Sequence, residues 1–368
     1  MLRIGVLFGG SSVEHDVSII SAMQVLNAID KSKYEVIPLY LTKTGDLLTG
    51  IRYSVIDTFK NIVKPKKSEY VNLIHFNGKG YLSFLFRKFK KQLKIDLILP
   101  VVHGKGVEDG SISGFLEILK IPYTTPTILG ASISQDKEFT KVLLENINIK
   151  TVPYEVLYNG EDKVKNSNFP KIIKPARLGS SIGIKKVNNE EECIKAINEA
   201  FMYDNKIIAE KALTNFKEYS VALYFKKEEL VISDIEEIIL KEDIYKFTDK
   251  YEHGQKDELN NKLPAKMSKK QQEKIYEIAK KIYKRLELSG VVRIDFLYDL
   301  DNKELYVNEV NTIPGSYAFY LFKNKDISFT NLIDDLIKQT LINEEKKKNY
   351  ISSFSSNILN KNTLSMKK

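Results

Sequence analysis

The chain has 368 residues, 43% of them hydrophobic and 29% charged, which is enough for two or three cores and ordinary for a soluble globular protein. Its one cysteine, Cys193, excludes an intrachain disulfide and fits a reducing, cytoplasmic setting; no apolar run approaches a membrane span, and Met1–Phe8 is too short for a signal peptide. The net charge of +9 comes from lysines spread along the chain, with only local clusters such as Arg87–Lys94 and Lys346–Lys348, and no nucleic-acid-binding module accompanies them, so an anionic small substrate is the expected partner.

Leu2–Phe8 alternates as a buried first strand and runs into Gly9-Gly10-Ser11-Ser12, after which a helix is predicted from about Val13 to Ile29. Strand, glycine turn and helix open a doubly wound α/β unit whose helix N-terminus suits an anion. Neither GxGxxG nor GxxxxGK[ST] is present, so the dinucleotide and P-loop readings are weak. Ser11-x-x-Glu14 has the spacing of a capping box, and on spacing alone the cap is preferred to a ligand role for Glu14.

Val36–Leu41 and Leu97–Val102 read as further buried strands. The second ends in His103-Gly104-Lys105-Gly106-Val107-Glu108-Asp109-Gly110, a glycine-rich loop where α/β sheets place ligands. Ser113–Leu119 is a predicted helix, and a first domain boundary falls near Thr125. A helix over Ala131–Ile147 carries Lys137 and Lys141 one turn apart. The strand Phe169–Pro175 contains Lys174 and leads into Ala176–Gly183, a small-residue loop able to offer backbone N–H groups and hydroxyls to phosphates, although Gly-Ser-Ser is also plain turn material. A helix over Glu190–Tyr203 and strands over Ile207–Lys211 and Glu218–Phe225 follow.

Lys241–Leu263 is polar and aperiodic, with Lys250-Tyr251 near its centre, and its length suggests a lid. Met267–Leu286 is an amphipathic helix with Ile275, Ile278, Ala279, Ile282 and Leu286 on one stripe. Val291–Asn311 reads as a hairpin turning near Asn302. Period two puts Arg293 with Asp295, and Glu309 with Asn311, on one face, and folding the hairpin brings Asp295 roughly opposite Glu309. Two carboxylates and a carboxamide are oxygen ligands suited to Mg²⁺ with phosphate and water completing its shell; a salt-bridged outer face is the alternative for the hairpin alone. Thr312-Ile313-Pro314-Gly315, a helix near Phe329–Ile342 and a polar tail over 346–368 end the chain.

Taken in order, several stretches resemble the D-alanine–D-alanine ligase family of the ATP-grasp superfamily: Leu7–Ser18, His103–Gly110, Lys137, Lys174-Pro175, Gly179–Gly183, Glu210-Lys211, Lys250-Tyr251, Arg293–Asp295, Asn308–Thr312 and Pro314-Gly315. The resemblance spans roughly residues 2 to 343. It implies an α/β protein, α+β overall, in three domains: an N-terminal doubly wound domain over 1–125, a central ATP-grasp domain over 126–220 and a C-terminal ATP-grasp domain over 221–345.

The resemblance further implies that Lys137, Lys174, Ser180, Ser181 and Gly183 meet ATP phosphates, while Glu210, Lys211, Leu213, Glu218 and Lys250 complete the ATP site. Asp295, Glu309 and Asn311 would hold two Mg²⁺ or Mn²⁺ ions. Glu14, Ser180 and Tyr251 would form a hydrogen-bonded set over the first substrate, with His103 near its carboxylate and Arg293 and the Gly315 N–H facing the reacting carbonyl. The implied reaction joins two D-alanine molecules through an acyl phosphate, for a peptidoglycan precursor, in a cytoplasmic homodimer that binds neither nucleic acid nor membrane.

The chain departs from the family pattern at Val107, Ser113 and Gln135, and above all after Gly315, where Ser316–Leu321 replaces the usual serine-rich segment. Tyr320 stands where a serine contacting the second substrate's carboxylate is expected, followed by Leu321. Its ring carries the hydroxyl well beyond a serine's reach, so either the turn is displaced and Tyr320 points elsewhere or the acceptor pocket is reshaped. The alternatives are a related carboxylate–amine or hydroxy-acid ligase of the D-Ala–D-Ser or D-Ala–D-Lac type, and a nucleotide-binding ATP-grasp protein without catalysis.

Overall fold

A computed structural model describes residues 1–60, 65–86, 92–161, 163–166, 168–239 and 261–351. The predicted first strand is β1 (Leu2–Gly9), followed by α1 (His15–Ala28), β2 (Tyr34–Leu41) and β3 (Leu47–Thr49). Strands β4 (Val71–Phe76), β5 (Lys79–Phe84) and β6 (Gln92–Ile95) form a small antiparallel sheet, and β7 (Leu97–Val102) returns to the first one. That sheet runs β3-β2-β1-β7, with β1 parallel to both β2 and β7. All six residues of β7 are buried, the pattern of an inner parallel strand covered on both faces.

Helix α2 (Ser111–Ile118) is followed by α3 (Ile128–Gln135) and α4 (Lys137–Asn146). The single helix expected over Ala131–Ile147 is therefore two. The break is at Asp136, which leaves helical geometry (φ −92°, ψ 107°) and caps α4 by accepting from the N–H groups of Glu138 and Phe139. The same carboxylate meets the buried Lys206 ammonium at 2.6 Å.

The central sheet contains β8 (Tyr154–Tyr158), β9 (Lys171–Pro175), β10 (Lys185–Val187) and β11 (Lys206–Lys211) in the order β10-β9-β11-β8, covered by α5 (Glu190–Ala200). The third sheet holds β12 (Phe216–Lys226), β13 (Glu229–Ile232), β14 (Glu236–Ile238), β15 (Val292–Asp299) and β16 (Glu304–Asn311), ordered β13-β12-β15-β16 with β14 also on β12. Helix α6 (Lys269–Arg285) covers it through Ile275, Ala279 and Ile282, three residues of the predicted stripe. Residue 220 lies inside β12, which pairs with β15 from Phe216 onward, so a boundary there would divide one strand of the third sheet.

The segment Gly315–Lys325 is a kinked 3-10 turn, and α7 (Phe329–Lys347) follows. Both pack back on the first sheet: Leu321, Phe322, Leu332, Ile333 and Ile337 share one core with Ile4, Val6 and Leu99. Tyr34 Oη donates to Asp334 at 2.6 Å across a separation of 300 residues. A second core lies under α6 and includes Leu144 and Ile149, and a third fills the central sheet. The three cores thus do not follow three consecutive blocks of sequence.

Asp136→Ala removes a helix cap worth about 1 kcal/mol and a charged hydrogen bond to buried Lys206 worth about 1.5–3 kcal/mol. A loss of roughly 3 kcal/mol in urea unfolding is expected; a change within about 0.5 kcal/mol would show that Glu138 alone satisfies Lys206.

Candidate active site

The register of the third sheet sets one end of the site. Asp295 on β15 lies opposite Glu309 on β16 and opposite Ser220 on β12, as the hairpin pattern predicts for the first pair. A bulge follows between Asp295 and Phe296, a local irregularity that re-aims side chains. Arg293 grips Asp295 through Nε (2.8 Å) and Nη2 (2.9 Å). Asn311 Nδ2 donates to the same carboxylate at 2.8 Å, and Ser220 Oγ at 2.7 Å. Arg293, Asp295, Glu309 and Asn311 therefore converge on one face.

Between the central and third sheets is a cleft lined by Lys137, Lys174, Gly179–Ser181, Glu210, Lys211, Leu213, Glu218, Asp295 and Glu309. One cavity thus gathers most of the residues expected at an ATP site. Lys137 Nζ donates to the Leu178 carbonyl at 2.6 Å and meets Glu309 at 3.0 Å. Lys174 pairs with Glu210 at 2.7 Å, and Lys141, noted in the sequence only as Lys137's neighbour, pairs with the same carboxylate at 2.8 Å. All three lysines are buried.

Burial pushes the Lys174 ammonium below its usual range, Glu210 opposes this, and the charges of Lys141 and Lys137 add to it. Burial works to raise the Glu210 carboxyl, but Lys174 and Lys141 outweigh it and hold the group below its usual range. The result is a dense set of cations facing two carboxylates. The loop above them has positive φ at Ser180 (54°), Ser181 (58°) and Gly183 (71°), so it is a tight turn rather than extended linker.

Glu14 does not cap its helix: it occupies the cap position without a side-chain capping bond, and its own N–H donates to Ser12 Oγ. The expected Ser11–Glu14 box is not formed. The carboxylate instead accepts from Ser180 Oγ, 166 residues away. Two glycines make room for it. A Cβ at Gly104, whose φ is +86°, would come within 2.8 Å of Glu14 Oε2, and one at Gly179 within 3.1 Å.

His103 is buried, and its Nε2 lies 3.2 Å from Ser21 Oγ, which also accepts from the Ser316 N–H at 3.1 Å. Burial holds its imidazole down to about 4, with Arg293's charge adding and a backbone bond at Ile313 opposing. At neutral pH it is a neutral hydrogen-bonding group. Glu108, which sequence reasoning left without a role, ties its loop to the end of β16: it accepts from Gly104 N (3.0 Å), Ile313 N (2.9 Å) and Thr312 Oγ1 (3.1 Å). Burial and then the Glu14 charge push its carboxyl up to about 7. Its place in the glycine-rich loop was the available signal.

After Gly315, Ser316, Tyr317 and Ala318 are all left-handed, with φ from 46° to 54°. Tyr317 and Leu321 turn into the first core. Leu321, named with Tyr320 as a candidate contact to the second substrate, has no exposed surface and its side chain lies in that core. Tyr320 Oη donates to Glu236 Oε2 at 3.0 Å, so its one proton does not serve a substrate carboxylate. Lys250 and Tyr251 lie outside the described residues.

The lysine-lined cleft between the central and third sheets, set against a carboxylate hairpin, is that of an ATP-dependent ligase. Residues 3–126 match the family model described as D-ala D-ala ligase N-terminus, and residues 143–338 match D-ala D-ala ligase C-terminus. The chain belongs to the D-alanine–D-alanine ligase family.

It is 39% identical to the D-alanine–D-alanine ligase of Thermosipho melanesiensis over 98% of either chain. Among solved structures, the VanG D-Ala:D-Ser ligase of Enterococcus faecalis has a TM-score of 0.76 at 28% identity, over 92% of this chain and 99% of that one. The D-alanine–D-alanine ligase of Coxiella burnetii has a TM-score of 0.79, over 94% of this chain and 96% of that one; at 24% identity it speaks to the fold alone.

Because His103's folded value of about 4 lies below its ordinary 6.5, the unfolded chain binds the extra proton between those values. Stability on this account is present above pH 6.5 and is lost as pH falls toward 4. His103→Gln should flatten the difference between urea midpoints measured at pH 7 and pH 4.5; an unchanged difference would mean the imidazole is protonated in place.

Proposed function

We propose that the protein is an ATP-dependent ligase that joins two D-alanine molecules, releasing ADP and phosphate. The observation that carries this is the cleft in which Lys137, Lys174 and Gly179–Ser181 line the same space as Asp295 and Glu309. ATP enters with its phosphates toward the lysines, where compact ammonium charges suit a transferring phosphoryl group. Glu210, Lys211, Leu213 and Glu218 lie on the same wall for the nucleoside.

Asp295, Glu309 and Asn311 fit Mg²⁺ or Mn²⁺: they are two carboxylates and a carboxamide at matched register, all oxygen donors. Among the described residues no third His, Cys, Asp or Glu joins them, which suits an ion that draws its other ligands from phosphate and water. When bound, such ions supply charge neutralisation on the phosphates.

The first D-alanine's ammonium is assigned to Glu14, which Ser180 holds by a hydrogen bond. Neutral His103 lies near the substrate's carboxylate, and Tyr251 completes the set by resemblance alone. Phosphoryl transfer to that carboxylate gives an acyl phosphate, and the second amine attacks its carbonyl carbon with loss of phosphate. Arg293 and the Gly315 N–H are assigned to the oxyanion that develops. His103, Ser21 and the Ser316 N–H form a bonded chain leading to the Gly315 turn.

A second reading, with an acceptor other than D-alanine, is favoured by one observation: the Tyr320 hydroxyl gives its proton to Glu236 and the Leu321 side chain is buried, so neither side chain donates to a carboxylate. Among the described residues no helix is long and apolar enough to cross a bilayer. A homodimer is part of the proposal through the resemblance, and sedimentation tests it.

ADP release with ATP, Mg²⁺ and a panel of D- and L-amino acids, with products identified by mass, tests the reading directly. Glu309→Gln should lower turnover by about 100-fold or more while the far-ultraviolet circular dichroism is kept. A folded variant that turns over normally would remove the hairpin from the chemistry.

A further inference from the structure

Tyr320 and Glu236 are joined by a hydrogen bond across 84 residues of sequence. Glu236 is 5% exposed, and both its oxygens are engaged: Oε2 by Tyr320 Oη at 3.0 Å and Oε1 by Asn261 Nδ2 at 3.1 Å. Its position follows from register. Glu236 on β14 is opposite Ser220 on β12, and Ser220 is opposite Asp295 on β15. Aligned cross-strand residues share a face, so Glu236 extends the row of Asp295 and Glu309 to the other edge. Two strand spacings along that row separate Glu236 from Asp295, so the pair stands beside the carboxylate hairpin and the Gly315 turn.

A phenol has one proton. With it given to Glu236, Tyr320 presents only oxygen lone pairs, backed by a buried carboxylate. A wall of acceptors attracts a donor or a cation and repels a second anion, and the effect is strong where water is scarce. An amino-acid acceptor arrives with an ammonium group; a 2-hydroxy acid brings the same carboxylate without the cation.

We propose that Tyr320 and Glu236 form a specificity pair that recognises the ammonium of the incoming acceptor and selects an amino acid over a 2-hydroxy acid. This rests on the ligase reading above. The pair binds and orients the acceptor, and no proton transfer is assigned to it. A purely structural role, pinning the turn after Gly315, predicts a general loss of activity instead of a change of preference.

The test offers wild type, Glu236→Gln and Tyr320→Phe a mixture of D-alanine and D-lactate with ATP and Mg²⁺, and measures dipeptide and depsipeptide by mass. In both variants the dipeptide-to-depsipeptide ratio should fall by about tenfold, with the second-site KM for D-alanine raised by a similar factor and the KM values for ATP and first-site D-alanine within about twofold. Should Glu236→Gln fail to fold, Tyr320→Phe decides alone. An unchanged ratio, or equal rises in all three KM values, overturns the pair's role. Wild type that releases no ADP with D-alanine overturns the ligase reading first, and so separates the two failures.

Discussion

Buried charge is the constraint on which this cleft depends. Lys137, Lys141, Lys174 and Glu210 are each less than 9% exposed, and an ion taken out of water without a partner costs several kcal/mol. The set holds together because every charge in it answers another: Glu210 takes Lys141 and Lys174, and Glu309 takes Lys137. The lysines are therefore already gathered and oriented. An anionic phosphate chain entering among them replaces one partner with another and does not have to assemble the site.

The partners come from different parts of the chain, and backbone geometry brings them together. Register on the third sheet aligns Glu236, Ser220, Asp295 and Glu309 across four strands. Glycine does the corresponding work on the other side, where Gly104 and Gly179 let two loops close on the Glu14 carboxylate. Glu108 ties one of these loops to Thr312 and Ile313 at the end of β16. Glu14, the glycine-rich loop and the carboxylate hairpin are thus tied into one framework by bonds that run between separate parts of the chain.

Much of this was legible in the sequence because it is periodic or local. The hairpin pattern Val-Arg-Ile-Asp against Asn-Glu-Val-Asn put Asp295 opposite Glu309 before any coordinates, and glycine clusters marked the loops. Other features depend on partners far away in the chain. Ser11-x-x-Glu14 satisfies the rule for a cap, yet Glu14 bonds Ser180, a competitor no local rule can see. Asp136 broke a helix that periodicity carried through, because its carboxylate caps α4 and pairs with Lys206. Glu236 gave no signal at all, since its meaning comes from a strand register and from Tyr320. The short loop between β11 and β12 hid the domain change near Phe216, where charge and hydropathy do not shift.

The packing of α7 against the first sheet has a consequence for how the protein is made. Thr330 donates to the Ala28 carbonyl and Tyr34 to Asp334, across separations of 302 and 300 residues, and the core shared by these regions includes Ile4 and Ile333. The central sheet, by contrast, closes on neighbours within 154–211 and can form while synthesis continues. The opening lobe emerges first from the ribosome but lacks part of its hydrophobic cover until α7 has been translated. Its apolar surface therefore stays open while the roughly 300 intervening residues are synthesised, an interval in which transient cover by a chaperone would protect it.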